Sequence, residues 1–421
     1  MQYYAYPALQ DGYYEQVLPN GLTVRVMEKK DFAKKYAFLA VNYGSMDMDF
    51  MLDGSLVKTP AGVAHFLEHK MFDMPYGDAM NRFATLGGNP NAFTSHSMTA
   101  YYVECTHSLP ENLQTLLELV FTPYFTQKSV DKEQGIIAEE IRMYRDNADS
   151  RVYENLLAAL YDGHPVSVSI AGTEGSIAAI TADTLHSCHK AFYTPANAML
   201  CVMGDVNREE ILSLAQEFTP AVAAPRAQAV YPCGNPISRK TVRESMEVSM
   251  PTFLLGFRGT PPALGRESMK REFVGDLAAD LLLGASSPLY TKLYEEGLID
   301  TSFSAGYESM KHVSFFSAGG DSEHPEKVAE EILKESEKLL SQGLDEERFL
   351  RLKKATLGRK LRELDGFEST CFRSCAYFFE QGNYFDSCEI LSSICLRDVQ
   401  DYIEACLRPE NMALSIVDPK H

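Results

Sequence analysis

Hydrophobic and polar positions alternate along Leu22–Met27, directly after the pair Asn20-Gly21. That pattern predicts a strand entered through a tight hairpin turn. Tyr36–Tyr43 predicts the next strand, closed by Gly44-Ser45, and residues 46–58 are expected to be loop. Thr59-Pro60 then introduces a helix, with Thr59 as a candidate cap and Pro60 near its first turn. Further helices are expected over Asp78–Leu86 (stopped by Gly87-Gly88), Pro110–Phe121, Ser129–Arg145, 150–161, 182–192 and up to about Phe218. Strands are expected at Ala92–Phe93, Thr99–Glu104 and Ala198–Met203.

The pattern also repeats. Phe38–Ser45 matches Phe253–Thr260 at an offset of 215 residues. Tyr101–Val103 before Pro110 matches Ser314–Phe316 before Pro325, and Pro195–Asn197 matches Pro409–Asn411, at offsets of 213 to 215. A nearly constant offset across the chain predicts two copies of one domain. The Pro-, Ala- and Gly-rich stretch over 219–236 has linker composition and lies near the middle. The expected division is 1–220, a linker at 221–236, and 237–421.

Composition narrows the function classes. The 421 residues are 45% hydrophobic and 23% charged, which are globular values. A formal charge of −19, from 39 basic and 58 acidic residues, argues against nucleic acid or an anionic membrane as partner. No apolar run of transmembrane length is present, so no membrane insertion is expected. Met1–Pro7 has neither a charged nor an apolar leader region, so no signal peptide is expected. Nine irregularly spaced cysteines fit a reducing cytoplasm. Cys371 and Cys375, the one close pair, read as buried thiols on a helix rather than as a metal site.

The candidate chemistry begins at His65-Phe-Leu-Glu68-His69. On a helix, residues four apart share a face, so His65 and His69 can chelate one ion, and Glu68 borders that face. Imidazoles ligate zinc, and a carboxylate beside the metal can take a proton from water. H-x-x-E-H is the inverzincin pattern. Two histidines on a helix are also often plain surface or core residues, so a third ligand decides. The helix at 129–145 offers Glu133 and Glu140, seven apart on one face with Tyr144, flanked by Ile136 and Ile137. Taken alone, the same residues read more readily as an acidic solvated face. Glu139, about 100° around the helix from Glu140, is the clearest solvated position.

At these residues the chain resembles the pitrilysin/insulinase family of zinc metallopeptidases, which includes mitochondrial processing peptidase. The family pairs H-x-x-E-H with a downstream E-x6-E. The resemblance implies that His65, His69 and Glu140 hold Zn2+, that Glu68 is the general base and that Glu133 supports the site. Asn91, Ala92, Phe93 and Thr94 resemble its substrate-pairing edge strand. His164-Pro165, Ile170–Thr173 and Tyr193–Asn197 follow in the family's order. The wording of His65–Phe72 and Ser287–Asp300 is most similar to a bacterial branch, the YmfH-like proteins.

The expected fold is therefore α+β, two tandem homologous domains, each a mixed β-sheet with helices packed on one face. By resemblance they form a clamshell closing on a peptide. Shifting the motif by 215 lands on Asp280, Leu283 and Gly284, and shifting Glu140 lands on Ala355, so the second copy carries no chelate. The family's carbonyl-binding Arg and Tyr are missing from Glu295–Asp300, leaving Tyr290, Tyr294 or Tyr307 as substitutes. The expected activity is zinc-dependent hydrolysis of peptides or short unfolded segments, as a homodimer or beside a related partner. The rival is a catalytically weak or inactive assembly subunit.

Overall fold

The computed structural model describes residues 1–221, 227–232, 234–261 and 263–420. Residues 222–226 and 233 of the expected linker lie outside them. Two compact units are present. The first takes Met1–Ile141, Ser169–Tyr231 and Arg362–Phe379; the second takes Arg142–Val168, Pro232–Leu361 and Glu380–His421.

The first unit is built on seven strands: β1 (Gln2–Tyr6), β2 (Asp11–Val17), β3 (Thr23–Glu28), β4 (Lys35–Val41), β5 (Asn89–Thr94), β6 (Thr99–Cys105) and β7 (Ala198–Gly204). Their order is β1-β2-β3-β7-β4-β6-β5. Only β3 and β7 pair in parallel, so the sheet is mixed. The Asn20-Gly21 turn joins β2 to β3, with Val17 opposite Thr23 and Gly21 at φ +89°.

The second unit has β8 (Thr241–Met246), β9 (Thr252–Arg258), β10 (Ser304–Met310), β11 (Val313–Asp321) and β12 (Met412–Pro419), in the order β8-β12-β9-β11-β10. Here too one pair, β8 with β12, is parallel. The order repeats β3-β7-β4-β6-β5 strand for strand. The matched segments fall on equivalent strands, and Pro195–Asn197 and Pro409–Asn411 are both 3-10 turns leading into them.

Four helices matter for the site: α1 (Val63–Met71), α2 (Gln127–Arg145), α3 (Ala148–Leu160) and α4 (Phe367–Phe379). Side chains alternate across β4, and both sets are buried. Ala37, Leu39 and Val41 join the core with Phe66 and Leu67 of α1. On the other face α4 packs across β4 and β7, although it lies far downstream in the chain. Cys371 and Cys375 are buried free thiols on α4, with the Cys375 Sγ 4.0 Å from the Met199 carbonyl. The reciprocal helix, α3, packs on β9 and β12 of the second unit. A Cβ on Gly256 would lie 2.8 Å from Leu160, so glycine lets that helix approach.

Two local expectations need correction. Residues 46–58 are not loop: Asp49–Leu52 and Ser55–Lys58 form a hairpin. Asp53 and Gly54, at φ 50° and 80°, make its turn, the pair that favours such hairpins. Gln228–Ala229 adds a third strand beside Phe50 and Met51. Thr59 does not cap α1, which starts only at Val63; its hydroxyl donates to the Met48 carbonyl instead. The capping position is Gly62, at φ +91°. A Cβ there would sit 2.5 Å from the Ala171 carbonyl oxygen.

Candidate metal centre

α1 and α2 bring the site together inside the first unit. The apolar side of α1, with Val63, Phe66 and Leu67, is buried in the core. That orients His65 and His69 together towards α2, with ring centroids 4.6 Å apart. Ile170–Thr173 braces the start of α1: the Ser176 hydroxyl donates to the Ala61 carbonyl at 2.8 Å, and Thr173 and Ser176 cap each other. Ile137 and Ile141 anchor α2 in the core, while Ile136 is exposed. Glu139 is exposed, as expected.

Glu140 meets both imidazoles. Its Oε1 is 3.5 Å from His65 Nε2, and its Oε2 is 3.4 Å from His69 Nε2. Among the described residues this trio is the one group whose ligand atoms converge, all within 4.8 Å of one another. Ligands of a tetrahedral zinc at 2.0–2.1 Å lie about 3.3 Å apart, so the observed spacing fits zinc. The donors fit as well: two imidazoles and a carboxylate leave one position for water. His65 is buried, and its Nδ1 has no hydrogen-bond partner among the described residues.

A second carboxylate and a lysine stand beside the trio. Glu133 Oε1 is 3.1 Å from His69 Nδ1. A carboxylate there accepts the Nδ1 proton and leaves Nε2 free as a ligand. Glu133 Oε2 is 3.5 Å from Lys70 Nζ, which also pairs with Asp73. Lys70 is almost wholly buried, and sequence reasoning missed it. Burial opposes a charge on His69, but hydrogen bonds to Glu133 and Glu140, with the Glu140 and Glu68 charges, push its pKa up to about 9. Burial raises the Glu133 pKa, but its bonds to His69 and Lys70 lower it overall.

Glu68 is tied to β5, where the Thr94 hydroxyl donates to its Oε2 at 2.6 Å. Thr94 also approaches Thr99, whose hydroxyl donates to the Tyr43 carbonyl. Asn91, Ala92, Phe93 and Thr94 all lie on β5, which ends the sheet. The Tyr101 and Tyr193 hydroxyls bond each other at 2.9 Å. Burial, helped by the Glu68 charge, pushes both phenol pKa values up, while the bond between them raises that of Tyr101 and lowers that of Tyr193. The candidate substitutes for the missing pair lie in the second unit. Tyr294 is half exposed and stacks on Tyr290, while Tyr307 is buried against Tyr402. Asp280, at the shifted motif position, is bound by Arg359.

Residues 52–174 match the family Insulinase (Peptidase family M16), and residues 179–356 match the Peptidase M16 inactive domain. An uncharacterized zinc protease of Bacillus subtilis (strain 168), YmfH, is 37% identical over 99% of this chain and 98% of its own. The chain belongs to the insulinase family, peptidase family M16. It is a zinc metallopeptidase with one catalytic and one inactive M16 domain. A crystal structure of an M16-like peptidase from Alicyclobacillus acidocaldarius is similar at 34% identity and a TM-score of 0.93, covering 97% of this chain and 98% of that one. Pitrilysin shares the fold at 17% identity and a TM-score of 0.79, over 97% of this chain and 45% of its own. No helix among the described residues is long and apolar enough to cross a membrane.

Proposed function

We propose that the chain is an endopeptidase that cleaves extended peptides or short unfolded segments held along β5. His65, His69 and Glu140 hold the zinc. When bound, zinc lowers the pKa of a water and polarises the scissile carbonyl. Glu68 takes the proton from the attacking water as the new carbon–oxygen bond forms. It returns that proton to the leaving amine nitrogen as the carbon–nitrogen bond breaks. Glu133 fixes the tautomer of His69, and Thr94 fixes the Glu68 carboxylate. Main-chain pairing along Asn91–Thr94 holds the peptide, so selection by sequence is loose.

The observation that carries this reading is the short bond from Thr94 to Glu68. It sets the base at the open edge of the sheet, beside the histidines. Glu68→Gln tests it: zinc content stays near one per chain, and peptide cleavage falls a hundredfold or more. Loss of zinc, or cleavage near the wild-type rate, overturns the role.

The working form is a dimer with a second copy or a related chain. Matching 45% of pitrilysin supports this, since two such chains span its length. Sedimentation velocity of the zinc-loaded protein tests it, and a monomer at assay concentration overturns it. The compartment is the cytoplasm, supported by eight described cysteines that are all free thiols. A thiol titration of protein taken directly from cells tests that.

A further inference from the structure

Position 70 is where the pattern of α1 calls for an apolar side chain. Val63, Phe66 and Leu67 face the core, and Lys70 follows them at spacings of seven, four and three, on the same side of the helix. It is only 1% exposed, one of the largest fully buried side chains of the chain. An ammonium taken out of water destabilises a fold unless anions meet it, and an apolar side chain of similar volume often serves stability as well or better. Packing alone therefore does not account for a lysine here.

Two carboxylates meet the charge. Asp73, in the short strand Asp73–Met74 that follows α1, pairs with Nζ from a partly exposed position. Glu133 of α2, whose side chain is 14% exposed, brings Oε2 to 3.5 Å. The other oxygen of Glu133, Oε1, is 3.1 Å from His69 Nδ1. Both oxygens of one largely buried carboxylate are thus taken, one by the imidazole and one by the ammonium. Without Lys70, Oε2 would be buried and unmet, a cost that turning the side chain out to water avoids. No second group steadies the chelate in this way, since His65 Nδ1 has no hydrogen-bond partner among the described residues.

We propose that Lys70 is a positioning residue of the metal centre: its ammonium pins the Glu133 carboxylate against His69, so that zinc affinity depends on a buried lysine that is not itself a ligand. The inference rests on the reading that Glu133 supports His69. Asp73 holds the ammonium in place from the other side. An ammonium close to the site also repels the incoming ion. Lys70 therefore favours zinc only through Glu133, and its effect reverses or vanishes when Glu133 is gone.

The test is a double-mutant cycle on the full chain, read in zinc affinity by chelator competition at one pH and one salt concentration. Lys70→Met is expected to weaken binding about three- to tenfold, less than the loss of Glu133 itself. In the Glu133→Ala background the same change is expected to leave affinity unchanged or to raise it, because only repulsion is then removed. Lys70→Gln, which keeps a donor without the charge, is expected between wild type and Lys70→Met, and it carries the cycle by itself if the methionine variant does not fold. Thermal midpoints of the metal-free chains report on folding. Losses of similar size in both backgrounds would make Lys70 a merely structural residue and overturn the proposal. Wild-type affinity in Lys70→Met, with Glu133→Ala weakened, overturns it while leaving the Glu133 reading standing. Wild-type affinity in Glu133→Ala overturns both.

Discussion

Glu133 and Glu140 hold opposite edges of one imidazole: Glu133 Oε1 lies 3.1 Å from His69 Nδ1, and Glu140 Oε2 lies 3.4 Å from His69 Nε2. Their spacing on one helix makes His69 the best-fixed ligand. Glu133→Ala is expected to weaken zinc binding about 10- to 100-fold, as loss of such a partner does. It also strips Lys70 of one of its two carboxylates, so the unfolding midpoint falls. Chelator competition measures the first effect, and unchanged affinity removes Glu133 from the site.

Zinc binding has a predictable pH dependence. Without metal, burial opposes charge on His69, but bonds to Glu133 and Glu140 raise its pKa to about 9. Zinc must displace that proton, so apparent affinity rises with pH up to about 9 and binding at pH 7.5 releases about one proton. Calorimetry in two buffers of different ionisation enthalpy counts it. For the metal-free chain the sign is reversed. A raised folded-state pKa contributes stability below about 6.5, which is lost as pH rises through about 9.

The Thr94 hydroxyl donates to Glu68 Oε2. Hydrogen bonds to charged groups contribute about 1.5–3 kcal/mol. Thr94→Val is expected to lower kcat about tenfold or more with zinc affinity unchanged, while Thr94→Ser retains most activity. Steady-state kinetics with metal analysis separates these outcomes, and an unaffected kcat in the valine variant would show that Glu68 needs no such support.

His189 links acid to unfolding. Burial lowers its pKa to about 4, outweighing the bond from its ring to the Val120 carbonyl at 3.0 Å. The unfolded chain binds a proton near pH 6.5 that the folded one refuses until about pH 4. Stability from this group is therefore full above 6.5 and lost as pH falls towards 4, by up to about 3 kcal/mol. His189→Gln, compared metal-free with wild type by urea unfolding, should flatten that part of the slope. Parallel slopes would place the acid sensitivity elsewhere.

Much of the site was legible because helices and strands impose short periods. His65, Glu68 and His69 share a face at a spacing of three and four, and Glu133 and Glu140 at seven. The repeat was legible because duplicated strands keep their order and their punctuation, such as Pro195–Asn197 and Pro409–Asn411. The Asp53-Gly54 hairpin carried a readable turn signal that the reading of 46–58 as loop passed over. Thr59 failed as a cap because the helix begins only at Val63, with Gly62 in the capping position, three residues further on.

The sequence by itself determined which atoms could serve as ligands, since ligand chemistry and helical period are local properties. It also determined the two-domain repeat and the absence of a chelate from the second copy. Only the tertiary structure decided which groups meet across distance. Lys70 becomes a buried partner of Glu133 because α2 lies over α1. Thr94 comes to orient Glu68 because β5 ends the sheet beside α1. α4 lines a pocket with Phe93 because it packs on the sheet of the first unit rather than on that of its sequence neighbours. These pairings join residues 26 to more than 270 positions apart. No local pattern encodes such contacts, because they depend on which buried faces find one another when the whole chain packs.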